Sequence, residues 1–158
     1  MKFYYGVESK SQARDIAVKV ACAFGGGYKA MMLMIETACT ETHLGTYPDR
    51  HPEKLGVGIT QFDEIGLYDL KARTRSRHYN ILLNEFGYDL NLVELSDLAY
   101  DATLAFALTR MKYILVPEPI PRTLAERANY WKTHWNSDHP NAKGTPAKYI
   151  SDAIEHNI

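Results

Sequence analysis

The sequence predicts a mainly α fold in a single domain spanning residues 1–158. Three observations carry this. Apolar residues recur at steps of three and four along most of the chain. Turn formers are dense in only one stretch, about 45 to 60, which holds Gly45, Pro48, Asp49, Pro52, Gly56 and Gly58. No repeat, low-complexity tract or long linker divides the 158 residues, a length that suits one ordinary domain with its own core.

The elements follow in order. Ser9 or Ser11 is placed to cap a first helix reaching about Phe24, with Ala13, Ile16, Ala17, Val20 and Phe24 on one face. Gly25-Gly26-Gly27 breaks it; this run lacks the lysine and strand context of a phosphate loop. A second helix is expected over about 29 to 43. Its first half, Met31 to Ile35, is apolar nearly all round, so it belongs at the centre of the fold. Gly45 is placed to end it. The turn-rich stretch after it reads as a loop or small hairpin lying over a site, the only place where strands are expected. Helical patterning returns over about 61 to 75 and 76 to 86. After a turn at 87–93, a long helix is expected over about 96 to 115. Pro117, Pro119 and Pro121 form a stiff connector. Thr123 with Glu126 makes a capping box for the helix carrying Tyr130, Trp131 and Trp135. A polar loop spans 136–144, and Thr145-Pro146 opens a final helix.

Composition excludes several functions. A net charge of −1 gives no polycationic footprint, so no nucleic-acid partner is expected. The most apolar stretch, 30–35, is too short to span a bilayer, and the N-terminus lacks the apolar run of a signal peptide. The chain is thus expected to be made in the cytoplasm without membrane insertion and to act as a monomer. Cys22 and Cys39 both sit in apolar helices and read as buried free thiols, with a disulfide not demanded. The eleven tyrosines and two tryptophans suit either an ordinary core or a groove that stacks on sugar rings.

The informative chemistry lies at Glu41-Thr42-His43-Leu44-Gly45, followed by Gly56-Val57-Gly58-Ile59-Thr60-Gln61-Phe62. A carboxylate at the C-terminal end of an apolar helix is opposed by the helix dipole and by its apolar surroundings, and both favour the protonated form. A carboxylic acid that keeps its proton near neutrality is what cleavage of a glycosidic bond requires. Glu36 lies five residues earlier on the same helix, roughly 140° around it, and serves as the fallback acid only if the helix ends early. His43, His51 and Glu41 do not have the spacing of a zinc site, and no His-Glu-x-x-His or Gly-x-Ser-x-Gly motif is present. No metal or cofactor is expected.

Here the chain resembles the lysozyme-like superfamily, above all soluble lytic transglycosylases and goose-type lysozymes. In those proteins a hydrophobic helix ends in Glu-Ser or Glu-Thr, and a Gly-x-x-Gln segment follows about twenty residues later. Glu41-Thr42 and Gly58-Ile59-Thr60-Gln61 match, and Glu41 and Gln61 are 61 − 41 = 20 positions apart. The resemblance implies a lysozyme-like domain in which Glu41 is the catalytic acid and then base. It implies that Gly58 and Gln61 hold the sugar and that a tyrosine supports the acid or the substrate acetamido group. Two tyrosines qualify: Tyr113, which ends the long helix, and Tyr130, in Ala128-Asn129-Tyr130-Trp131, which lacks the family's following Asn-Ala-Gly. The stretch from Tyr130 to Thr145 resembles lysozyme-like proteins encoded by bacteriophages, whether an endolysin released through a holin pore or a virion component.

The implied partner is the glycan strand of peptidoglycan, cut between N-acetylmuramic acid and N-acetylglucosamine. A hydrolase needs a second carboxylate, whereas a lytic transglycosylase closes a 1,6-anhydro ring with the sugar's own 6-hydroxyl. Asp49 is the candidate second carboxylate, although Tyr47-Pro48-Asp49-Arg50 also reads as a plain turn. Asp63 reads as a helix N-terminal residue. Transglycosylation is therefore the expected reaction, with a hydrolytic muramidase and a non-catalytic phage structural or wall-binding protein as the alternatives.

Overall fold

A computed structural model describes residues 1–48, 56–136 and 144–157. These form seven α-helices: α1 (Lys10–Phe24), α2 (Gly27–Thr42), α3 (Glu64–Arg73), α4 (Ser76–Phe86), α5 (Ala102–Ile114), α6 (Leu124–Trp131) and α7 (Pro146–His156). No strand of the described residues is longer than a single antiparallel bridge, Val57 to Phe62. The mainly α fold expected from the periodicity is what the chain adopts.

Most residues of α2 and α5 are buried, and these two helices form the centre. They carry apolar side chains nearly all round because other elements cover them on several sides. Helix α1 packs on both, α7 lies along α2, and α6 packs on α7. The helix ends follow their local chemistry. The Ser9 hydroxyl accepts from Gln12 N–H, Thr123 from Glu126 N–H and Thr145 from Lys148 N–H, each capping the helix that follows. Asp63 likewise caps α3 by accepting from Gly66 N–H, the helix-terminal role expected of it.

Three boundaries differ from expectation. Helix α3 starts at Glu64, not near 61, because Gln61 adopts a left-handed conformation (φ 53°) that no helix interior accepts. The long helix expected from about 96 is split: a 3-10 turn, Leu95–Leu98, precedes α5, whose own cap is Asp101 accepting from Leu104 N–H. Helix α6 passes into a π turn, Lys132–Asn136, which changes the direction in which Trp135 leaves the backbone. Both cysteines are free, but Cys22 is exposed on α1, not buried. Cys39 is buried, and desolvation pushes its thiol up to about 12, which leaves it inert. Among the described residues no helix is long and apolar enough to cross a membrane.

Candidate active site

Helix α2 ends one residue after Glu41. The next three residues, His43, Leu44 and Gly45, all have positive φ (52°, 55° and 88°). For Leu44, which is fully buried, this conformation costs about 1–2 kcal/mol. The strained turn is held by Leu44 N–H donating to Ala38 O at 3.0 Å and Tyr47 N–H to Thr42 O at 2.9 Å. Backbone strain of this kind collects at functional sites, where the surrounding structure over-determines it.

The same helix end is tied to the Gly58–Gln61 segment. The Thr42 hydroxyl donates to Ile59 O at 2.6 Å, and Thr60 Oγ1 pairs with Thr109 Oγ1 of α5 at 2.7 Å. Gly58 to Gln61 is a tight turn, closed by Gln61 N–H to Gly58 O at 3.0 Å and by the paired Val57–Phe62 backbone bonds. Of the loop or small hairpin expected over about 45–60, residues 49–55 lie outside the described residues, and the described part holds this one turn and its bridge. Gln61 uses its side-chain amide within the turn, donating Nε2 to Gly58 O at 3.0 Å. Asp49 and His51 lie outside the described residues.

Glu41 is partly buried, and the cost of desolvating its carboxylate pushes its pKa up to about 7. Four groups act on it besides burial. Lys148 of α7 and Lys112 of α5 favour the ionised form, as does the Trp131 indole N–H, while Asp152 opposes it. The Trp131 Nε1 is buried and meets no acceptor at full hydrogen-bond geometry, so its influence on Glu41 is that of an oriented dipole rather than a tight bond. Lys148 is held by Asp152 Oδ2 at 2.6 Å and reaches Thr40 O at 3.4 Å, a cation set against the C-terminal carbonyls of α2. The Thr40 hydroxyl donates to the same Asp152 oxygen at 3.0 Å.

An aromatic group lies within electrostatic reach of the acid, through Tyr113 and Lys112. Trp135, reoriented by the π turn, stacks on Tyr113 with centroids 5.1 Å apart and meets Phe62 edge-on at 5.7 Å. The Lys112 ammonium lies 4.3 Å from the Trp135 ring centroid and 5.7 Å from that of Phe62. Phe62 directly follows Gln61, so this cluster couples the turn to α5 and to the end of α6.

The two candidate tyrosines separate clearly. Tyr113 pairs its hydroxyl with Thr37 Oγ1 at 2.9 Å, one turn back along α2, and feels the charge of Glu41. Tyr130 donates to Glu118 O at 2.9 Å in the proline connector, and the Glu41 charge does not figure among its influences. Glu36, the fallback acid, is engaged elsewhere: Arg127 and Tyr149 bind its carboxylate in the core.

Sequence reasoning did not find Lys148, Lys112, Trp131 or Asp152 as neighbours of Glu41. Lys148 and Asp152 stand four apart on one face of α7, but nothing in that spacing says which helix the face meets. His43, Asp152 and His156 bring one potential metal-ligand atom each within 4.8 Å of one another. The two imidazoles stack face to face (4.0 Å, 11°), which sets their in-plane lone pairs side by side rather than converging, and Asp152 is engaged by Lys148 and Thr40. That arrangement is a packing contact between the ends of α2 and α7.

Comparison with known proteins finds no matching family model, no matching curated protein and no matching solved structure.

Proposed function

We propose that the protein is a peptidoglycan lytic transglycosylase with Glu41 as its general acid and base. The observation that carries this reading is the Thr42–Ile59 bond. It fixes the Gly58–Gln61 turn against the end of the helix that bears Glu41, which supports reading the two motifs, twenty residues apart in sequence, as parts of one site. The raised pKa of Glu41 supports the same reading. A carboxylic acid with a pKa of about 7 is substantially protonated at neutrality and can donate to a departing glycosidic oxygen.

In this reading Glu41 protonates the leaving oxygen as positive charge grows at the anomeric carbon. The resulting carboxylate is stabilised by Lys148 and Lys112, and then takes the proton of the sugar's 6-hydroxyl as the 1,6-anhydro ring closes. Tyr113, not Tyr130, is the tyrosine beside the acid. In this reading the sugar meets the turn at Gln61, which is partly exposed, because Gly58 is buried against Leu98. Phe62 and Trp135 are buried and pack against Tyr113 and Lys112, so they brace the wall behind the acid.

The test is digestion of purified peptidoglycan followed by mass spectrometry of the soluble muropeptides. Anhydro-muropeptides, one water lighter than reducing-end products, from wild type and none from Glu41→Gln are the expected result. Reducing ends would assign a hydrolytic muramidase instead. Undiminished release by Glu41→Gln, or sugar binding with no cleavage by wild type, would overturn the assignment.

A further inference from the structure

The corner between α1 and α2 holds a cavity whose cationic groups the chemistry at Glu41 does not use. Its centre is Arg110, a residue of α5 that is 9% exposed. The Arg110 Nε–H donates to Gly25 O, the C-cap of α1, at 3.0 Å. Among the described residues its two Nη groups meet no acceptor, and no carboxylate pairs with the guanidinium. Burial accordingly favours loss of its charge. The residue is largely buried, yet it lines a cavity in which an oxyanion would meet the unpaired Nη groups.

The fork lies against Gly26. A Cβ at that position would come within 2.6 Å of Arg110 Nη2, so the middle glycine of Gly25-Gly26-Gly27 makes room for the guanidinium. Gly26 is also the N-cap of α2, and no side chain caps that end. The positive end of a sixteen-residue helix and a largely buried arginine therefore meet, with no negative group of the described residues between them. They open onto a cavity of about 360 Å³, also lined by Lys29, His78, Tyr113 and Tyr130. A second cavity of about 470 Å³ shares the His78 wall and adds Arg75. The acid on this rim, Glu118, is 63% exposed and turned to His134 at 3.8 Å. In a chain whose net charge is −1, this concentration of cations is local.

We propose that this corner is a binding site for a small organic oxyanion, a phosphate- or carboxylate-bearing molecule. Its charged group is gripped by the Arg110 fork, Lys29 and the first amides of α2. Guanidinium geometry matches two oxygens of either group, and the volume suits a small metabolite rather than a polymer. Tyr113 and Tyr130 supply apolar walls for the remainder of the ligand.

Isothermal titration calorimetry on the whole protein tests this, with pyrophosphate in one arm and citrate in the other at constant ionic strength maintained with chloride. The site predicts saturable one-to-one binding in at least one arm; the tighter arm identifies the anion class. Lys29→Ala, a partly exposed position that leaves the fold intact, weakens binding roughly tenfold. Arg110→Lys, which keeps charge but removes the fork, weakens it at least as much. Absence of saturable binding in both arms overturns the proposal. So does binding that Lys29→Ala and Arg110→Lys leave unchanged, which would place the anion elsewhere and reduce Arg110 to a cap on α1. Peptidoglycan cleavage is not the readout, so the result stands apart from the assignment of Glu41.

Discussion

Arg127 closes on Glu36 with two parallel bonds, Nε to Oε1 at 2.7 Å and Nη2 to Oε2 at 2.8 Å, across ninety-one positions of sequence. Tyr149 donates to Oε1 at 2.9 Å, and Arg127 Nη1 donates to Arg122 O at 2.7 Å. Helices α2, α6 and α7 are thus joined at one buried carboxylate. Removing one partner leaves an uncompensated buried charge, so Arg127→Leu is expected to cost about 3–5 kcal/mol. Replacing both groups, as in Glu36→Leu with Arg127→Leu, is expected to recover most of that loss. A double-mutant cycle by urea unfolding measures the difference.

Two glutamates on one helix therefore have opposite fates. Glu36 is locked into the core by an ion pair, while Glu41 meets no arginine among the described residues and burial pushes its pKa up to about 7. The periodicity of α2 separates their faces, and that much was legible in the sequence. So were the existence of the seven α-helices among the described residues and the caps at Ser9, Thr123 and Thr145. What the sequence could not give is which face meets which. Lys148 approaches Glu41 because α7 lies along α2, a tertiary pairing with no local signal. Trp135 meets Phe62 and Tyr113 from a π turn that follows α6, and Ala128 to Asn136 carries no residue pattern that marks it. The split before α5 follows from Asp101, a good cap hidden inside an apparently continuous helical pattern.

The acidity of Glu41 has a stability consequence of definite sign. Its folded pKa of about 7 lies above the ordinary value of 4.5, so the folded chain holds the proton more tightly than the unfolded chain does. This group therefore costs no stability below about pH 4.5, and stability is lost as pH rises from there through about 7. The full difference is roughly 3 kcal/mol. Glu41→Gln removes the titration, so the variant is expected to gain on wild type progressively across that window and to be the more stable protein at pH 8. Chemical unfolding of both proteins at pH 4.5, 6 and 8 measures it; a constant difference across the three would show that the carboxyl is not perturbed.

Trp131 acts on the same proton. Its indole N–H favours the carboxylate, partly offsetting burial. Trp131→Phe deletes the dipole and keeps an aromatic ring against Tyr149, whose centroid lies 5.3 Å away. The Glu41 pKa is then expected to rise above its present value, and the descending alkaline limb of the rate against pH to move to higher pH. Carbon-13 titration of the glutamate carboxyls follows the shift directly. An unchanged Glu41 titration in a folded Trp131→Phe variant would remove the indole from the site.

The turn at Gly58 provides a test of how the two motifs are held together. Gly58 has φ 84°, and a Cβ there would sit 2.5 Å from Leu98 O, a backbone atom with little freedom to yield. Gly87 has nearly the same φ, 80°, yet a Cβ there would meet nothing within 4 Å. Ala at Gly87 therefore reports the conformational strain alone, on the order of 1 kcal/mol. Ala at Gly58 adds the collision with Leu98, so its loss of stability is expected to exceed that of Gly87→Ala by a further 1 kcal/mol or so. Moving the turn off Leu98 also draws Ile59 O away from the Thr42 hydroxyl, the bond that sets the turn against Glu41. Gly58→Ala should then lose peptidoglycan cleavage at a temperature where it is still folded, while Gly87→Ala keeps it. Thermal unfolding and muropeptide release, measured side by side on the two variants, separate a structural turn from one that completes the site.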